Sequence, residues 1–196
     1  MAITISGSGI TSANIADGTI VNADINSSAA IDGDKVSGSF GKVLQVVQHS
    51  YTGTATTTAV DNTFVDTPLT VNITPSATSS KVLVMVYIGK IGVDNTQRTT
   101  NFRLVRDSTD LSIGDAASNR VRASFMASVA YDMQNSQSAS MNYLDSPSST
   151  SELTYKVMWS GHNGDTHTFN YGNNNDNSDA IYSRAASSII VMEIGV

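Results

Sequence analysis

The chain has 196 residues, of which 40% are hydrophobic and 14% are charged, and its formal net charge is −6. The hydrophobic fraction is sufficient for a core, whereas the negative charge with scattered Lys and Arg argues against nucleic acid as a partner, because nucleic-acid-binding proteins concentrate positive charge on one face. No cysteine is present, so disulfides and thiolate chemistry are excluded, and no apolar run is long enough to insert into a membrane.

From Gly9 to Lys42 the chain carries an apolar side chain at about every fifth position, a spacing that neither a helix nor a strand favours. These residues are Ile10, Ile15, Ile20, Ile25, Ile31, Val36 and Phe40. Each repeat unit is too short and too polar to bury its own apolar residue, so it must stack on neighbouring units or on other chains. We therefore expect a β-solenoid-like coil or an intertwined multi-chain shaft, the alternative being a flexible Gly/Ser-rich leader.

The composition changes near residues 40–42, where strand-forming segments begin. The run KVLQVVQ at Lys42–Gln48 is rich in β-branched residues, and TPLTVNITP places Leu69, Val71 and Ile73 on one face. The segment Val82–Ile88 is apolar on both faces, which predicts a central strand covered on two sides.

Further strand patterns continue to the C-terminus. They are NFRLVRDS, VRASFMASVAYD, SMNYLDSP, ELTYKVMWSG, HTFNYGN and SSIIVMEIGV. Helical spacing is nowhere sustained, so residues 41–196 are predicted to form an all-β jelly-roll or β-sandwich head domain. The terminal strand is too apolar for an exposed edge, and we expect it to be central or packed at a subunit interface.

Signatures of catalysis are missing from the sequence, and we predict that the chain is not an enzyme. Asp107, Asp110 and Asp115 lie close enough in sequence for a paired-carboxylate hydrolase, but Asp in turns is the commoner explanation.

Imidazoles together with a carboxylate are a combination that can hold zinc. His162 and His167 flank a short loop that contains Asp165, with His49 distant, a spacing that matches no recognised zinc site. A calcium site of Asp165, Asp176 and Asp179 is no better supported. Neither a metal nor any other cofactor is predicted.

The segment 161–183 is the richest in Asn, Asp, Gly and aromatic residues, a combination that suits polar ligands such as glycans. The candidate binding residues are His162, His167, Phe169, Tyr171, Asn173, Asn174, Asn175 and Tyr182. The alternative is that Phe169 and Tyr171 point into the core and that the Asn run is only a solvated loop.

Several motifs in the head resemble the C-terminal domain of many phage tail-fibre and virion structural proteins. They are GKVLQVVQ, TPLTVNITPSATSSKVLVMV, FRLVRDSTDLSIGD, NYLDSPSSTSELTYKVMW and SSIIVMEI. The N-terminal ANIADGTIVNADINSSAAIDG is similar to the short I-x-D-G-x-I repeats of fibre shafts. The resemblance implies a homotrimer with jelly-roll heads, broadly similar to C1q/TNF-like knobs, attached to other virion proteins through residues 1–40.

The resulting prediction is a trimeric phage tail fibre or appendage, located in the virion, whose head binds a host receptor such as a surface glycan. The alternative is a head fibre or capsid decoration protein. Both need an anchor and a trimeric β-head, so the sequence alone barely separates them.

Overall fold

The computed structural model describes residues 42–95, 98–129, 136–172 and 183–195. These ranges contain strands but no helix, and hence none that could cross a membrane. The predicted all-β class is therefore confirmed. The predicted shaft lies outside the described residues, with Ile10, Ile15, Ile20, Ile25, Ile31, Val36 and Phe40.

Eleven strands are found in the described residues. They are β1 (Lys42–Tyr51), β2 (Ala55–Thr57), β3 (Val65–Ile73), β4 (Lys81–Val93), β5 (Arg98–Arg106), β6 (Thr109–Leu111), β7 (Phe125–Val129), β8 (Gln137–Asp145), β9 (Leu153–Ser160), β10 (His167–Phe169) and β11 (Ser187–Gly195).

The strands form two antiparallel sheets. The first sheet has the order β1-β11-β4-β10-β2, with β8 also paired to β4, and the second has the order β3-β9-β5-β6, with β7 also paired to β5. Both β8 and β11 pair with Val82–Tyr87, so they lie on opposite edges of β4. Strand β10 pairs with Ile91–Val93 on the same edge as β11, because β8 occupies the other edge at Ile91.

The long strand pairings are nested. Strand β1 pairs with β11, β3 with β9, β4 with β8, and β5 with β7. Each pair encloses the next one along the chain, alternating between the two sheets, which is the arrangement of a jelly roll.

The core lies between the inner faces of the two sheets. Leu69, Val71 and Ile73 are buried on β3, as the alternation of apolar residues predicted. On β9 the large side chains Tyr155 and Trp159 are fully enclosed, and Trp159 meets Phe169 of the opposite sheet edge-on with ring centroids 5.6 Å apart.

The structure corrects the prediction that the central strand β4 is covered on both faces. It is central in its hydrogen bonding, and Val82, Val84, Val86 and Ile88 are buried on its inner face. Its outer face is not covered, however, because Leu83 and Met85 are partly exposed and Tyr87 is 50% exposed. No layer of the described chain packs on that side of the first sheet.

The two ends of the sandwich differ. At the proximal end Lys42 pairs with Gly195, so the start of β1 and the end of β11 lie side by side. At the distal end Tyr51 pairs with Ser187, and β4 ends at Val93. Ten residues of extended strand β1 separate these ends by roughly 30 Å.

A buried carboxylate stabilises the proximal end. Glu193 is 1% exposed, and its Oε1 accepts hydrogen bonds from the backbone N–H and the hydroxyl of Ser76, at 2.7 and 2.6 Å, and from the hydroxyl of Ser80 at 2.7 Å. Its Oε2 accepts a bond of 2.6 Å from Gln45 Nε2. Burial alone would raise the pKa of Glu193, but these donors lower the pKa to about 2. The cluster joins β1, β11 and the β3–β4 turn.

Replacing this carboxylate tests the cluster. Glu193→Gln keeps the shape but removes the charge and replaces one of the two accepting oxygens with an NH2 donor, so we expect the free energy of unfolding to fall by about 2 kcal/mol. The midpoint of thermal unfolding should fall by roughly 4–8 °C. Glu152→Gln, at an exposed position, is the matched control and should leave the midpoint unchanged. Equal midpoints for the two variants would contradict a stabilising role for the Glu193 cluster.

Candidate functional site

The structure divides the predicted binding residues into three groups. His162 is exposed at the distal end, whereas His167, Phe169 and Tyr171 are buried. Asn173, Asn174, Asn175 and Tyr182 lie outside the described residues.

The predicted placement of His167, Phe169 and Tyr171 on a ligand-facing surface needs correction, since all three rings are buried. His167 and Phe169 are fully enclosed, and Phe169 packs against Trp159 and against Tyr51, whose ring centroid is 6.2 Å away. The alternative that Phe169 and Tyr171 belong to the core is what the structure shows. Binding by the remaining residues stays a prediction.

His167 connects the two sheets. It lies on β10 of the first sheet, and its Nδ1 is 2.6 Å from the hydroxyl oxygen of Thr100 on β5 of the second. Its Nε2 accepts a hydrogen bond of 3.2 Å from the backbone N–H of His162. Because Nε2 is an acceptor, the proton of the neutral ring lies on Nδ1, which donates to Thr100.

Glycine at position 161 makes room for this ring. A Cβ at Gly161 would lie 2.1 Å from the His167 ring atoms Cδ2 and Nε2, closer than any side chain allows. Gly161 also donates its backbone N–H to Ala59 O and accepts from Asp61 N–H, which fixes the start of the loop after β9.

An Asn-Gly turn presents the exposed part of that loop. Asn163 has φ 62° and Gly164 has φ 78°, and the N–H of Asp165 donates to His162 O, so the turn has positive φ at both central residues. His162 Nδ1 is 3.0 Å from Asp61 Oδ1.

The other side of the turn is anchored to β5. Asp165 accepts hydrogen bonds from Arg98 Nε at 2.5 Å and Asn95 Nδ2 at 3.2 Å. The Arg98 bond is the main reason that the pKa of Asp165 lies below its ordinary value. The turn is therefore held by partly buried groups while His162 and Asn163 face solvent.

Asn170 holds both ends of the long loop that contains most of the predicted binding residues. Its Nδ2 donates to Tyr51 O and Gly53 O, both at 2.9 Å, and its Oδ1 accepts from Ser187 Oγ at 2.5 Å. Gly89 allows the returning chain to approach, since a Cβ there would be 2.3 Å from Ala186 O. Sequence analysis missed Asn170 because it stands in a run of polar residues that reads as solvated loop.

Carboxylates and histidines do not gather into a metal centre among the described residues, where no group of three or more could hold an ion. Asp176 and Asp179, which the calcium alternative requires, lie outside them. Asp107 has φ 54° in the β5–β6 turn and accepts the N–H of Thr154, while Asp110 pairs with Arg103 at 3.1 Å. These two aspartates therefore have structural roles in and beside a turn.

Comparison with known proteins adds little. No protein-family model matches the chain, and no curated protein matches it. A solved structure to which it is similar is that of infectious bursal disease virus, Gx strain, with 12% identity and a TM-score of 0.26. The match covers 76% of this chain and 40% of the viral one, so this chain spans less than half of that protein's length. A likeness of this strength carries no argument about function.

The buried His167 makes stability depend on pH. Desolvation lowers the pKa of His167 to about 4, although Asp165 and Asp94 act in the opposite direction. An unfolded histidine has a pKa near 6.5, so the unfolded state binds the extra proton, and stability is full above that value and falls as pH decreases.

We expect the free energy of unfolding to fall by about 2 kcal/mol between pH 7 and pH 5. Urea unfolding at fixed protein concentration measures it. His167→Gln should remove most of this dependence, whereas His162→Gln, at an exposed position, should retain it. The same pH dependence in all three proteins would show that His167 is not the titrating group.

Proposed function

We propose that this chain is a structural protein of a phage virion, a homotrimeric tail appendage attached through residues 1–40 and carrying a head that binds the host surface. The observation that carries the proposal is that the chain enters the head at one end and presents an exposed turn at the other. Residue 41 precedes Lys42, which pairs with Gly195 at the proximal end, while the turn at His162–Asp165 lies at the distal end. A particle that holds the N-terminal segment would present the distal loops outward.

The construction of the distal end supports a binding role. Loops on a rigid scaffold can vary without damage to the core, and here the bases of both loops are held by buried hydrogen bonds of His167 and Asn170. Three copies would multiply a weak affinity per site through avidity. The proposed ligand is a polysaccharide or other glycan of the host surface, because side-chain amides and hydroxyls dominate the segment 161–183.

No catalytic role is proposed. Of the carboxylates considered for a hydrolase, Asp107 and Asp110 are engaged in the β5–β6 turn and in the pair with Arg103.

One observation favours the second candidate, a head fibre or capsid decoration protein. Three of the aromatic and imidazole rings expected to face a ligand, those of His167, Phe169 and Tyr171, are in the core. Fewer rings remain for stacking on sugars, and a decoration protein would need none.

Copy number in the particle separates the two candidates. A tail appendage occurs in small multiples of three, whereas a capsid decoration occurs in many tens or hundreds. We expect quantitative mass spectrometry of purified particles to give the small number and antibody-labelled electron microscopy to place the protein on the tail. Labelling distributed over the capsid would establish the decoration role instead.

Binding is tested by substitution of the exposed His162 and Asn163 together with three of the residues that the sequence predicts to bind. We expect His162→Ala and Asn163→Gly, the latter chosen because Asn163 has positive φ, combined with Ala at Asn173, Asn174 and Asn175, to reduce binding of the intact trimer to bacterial cells or an array of bacterial surface glycans by at least about tenfold. The matched control carries Thr78→Ala and Ser79→Ala, exposed at the proximal end. Thermal unfolding should be unchanged in both. Undiminished binding by the distal variant would place recognition elsewhere, and no binding by the wild type would favour the decoration role.

A further inference from the structure

The outer face of the first sheet carries an apolar surface across four neighbouring strands. Register places Val46, Met192, Leu83 and Leu144 in one row across β1, β11, β4 and β8. The next row consists of Gln48, Ile190, Met85 and Asn142. We call these two rows, together with Tyr87, the outer apolar face.

Large side chains on this face are open to solvent in the single chain. Val46 is 55% exposed, Leu144 is 48% exposed, and Tyr87 is 50% exposed. Met192, Leu83, Ile190 and Met85 between them are partly exposed. A contiguous surface of this kind on a soluble protein marks an interaction site.

The outer face on the opposite side of the sandwich carries charged residues. On the outer face of the second sheet, Asp66, Met158 and Arg103 form a row across β3, β9 and β5. Lys156 pairs with Asp66 at 2.8 Å, and Arg103 with Asp110 at 3.1 Å. Ion pairs of this kind are typical of a solvated face, whereas the two rows on the first sheet contain no charged residue.

The outer apolar face contains no Asp, Glu, Lys or Arg in either row. The chain as a whole carries a net charge of −6, so two copies repel each other at most approaches. At the two rows of this face, identical chains can meet without bringing like charges together, whereas a charged partner would find no opposite charge in those rows.

The connectivity of the chain also indicates that another copy of this chain covers the outer apolar face. Strand β1 contributes Val46 to the face, and it begins at Lys42, directly after the segment whose repeated isoleucines are predicted to need other chains for burial. We infer that the outer apolar face is the contact between copies of this chain, arranged around a three-fold axis; this inference rests on the proposed homotrimer and names the surface that forms it.

Charged substitutions on the two faces of the head test the inference. In the full-length protein, Val46→Asp combined with Leu144→Asp should weaken trimer association at least about 100-fold, because it buries unpaired charges. Met126→Asp on β7 is the matched control, since Met126 is 56% exposed on the second sheet, and it should leave the trimer intact. Sedimentation velocity over a concentration series measures association, and circular dichroism confirms the fold of each variant.

A second measurement does not require the trimer to dissociate. The chain has no cysteine, so a single thiol can be introduced and its reaction with a maleimide followed. In the trimer the thiol of Tyr87→Cys should react at least about tenfold more slowly than that of Met126→Cys, although the two positions are about equally exposed in one chain.

The outcomes separate this inference from the proposed function. A wild-type trimer in which both aspartates are tolerated and the Tyr87→Cys thiol reacts as fast as the control would overturn the assigned face but leave the homotrimer standing. A wild-type monomer at micromolar concentration would overturn both, and a protected Tyr87→Cys thiol in that monomer would show that the same chain covers the face.

Discussion

Strand β4 is hydrogen-bonded along both edges, and the rest of the head depends on that constraint. With β8 on one edge and β11 and β10 on the other, β4 fixes which residues of its neighbours point inward. Val82, Val84 and Val86 then meet the second sheet, and Leu83, Met85 and Tyr87 must point away from it. Since side chains alternate along a strand, an apolar β4 produces an apolar outer face as a necessary consequence of its central position.

Sequence reasoning succeeded where burial follows from local alternation. The strands β3 and β9 alternate cleanly, and Leu69, Val71, Tyr155 and Val157 are buried as that pattern requires. It failed at β4, because an apolar run shows that both faces avoid water but does not show whether the same chain supplies the cover.

Short strands were equally hard to interpret. Strand β10 has three residues, all buried, followed by polar residues that resemble a loop. No periodicity can be measured over three residues, so the sequence offers His167 as a binding residue and leaves open whether Phe169 faces a ligand or the core. The structure buries both side chains. Likewise Val121 and Ala123 were predicted to belong to a strand that begins only at Phe125, because Arg122 and Ser124 instead bond the segment to Gly114 O and Leu111 O.

Ionisable groups are distributed between the ends in a way that matches their different surroundings. At the proximal end Glu193 and Asp145 flank Val82 on neighbouring strands, one held by neutral donors and the other by Arg106 and the Tyr155 hydroxyl. At the distal end the buried group is the neutral His167. Glu193 stays charged in acid because its donors lower its pKa, whereas burial lowers the pKa of His167 and keeps the imidazole neutral, so acid weakens the distal end first.

The position of the Glu193 cluster also bears on attachment. A force applied through residue 41 reaches the head at Lys42 and acts on the pairing of β1 with β11. Gln45, three residues after Lys42 on β1, donates hydrogen bonds to Glu193 and, at 2.7 Å, to Thr74 O. The beginning of β1 is therefore bonded to β11 and to the end of β3. Peeling β1 from the sheet would expose the buried carboxylate and remove the hydrogen bond that Gln45 donates to it. The Glu193 cluster therefore lies where an appendage held by its N-terminal segment would be loaded.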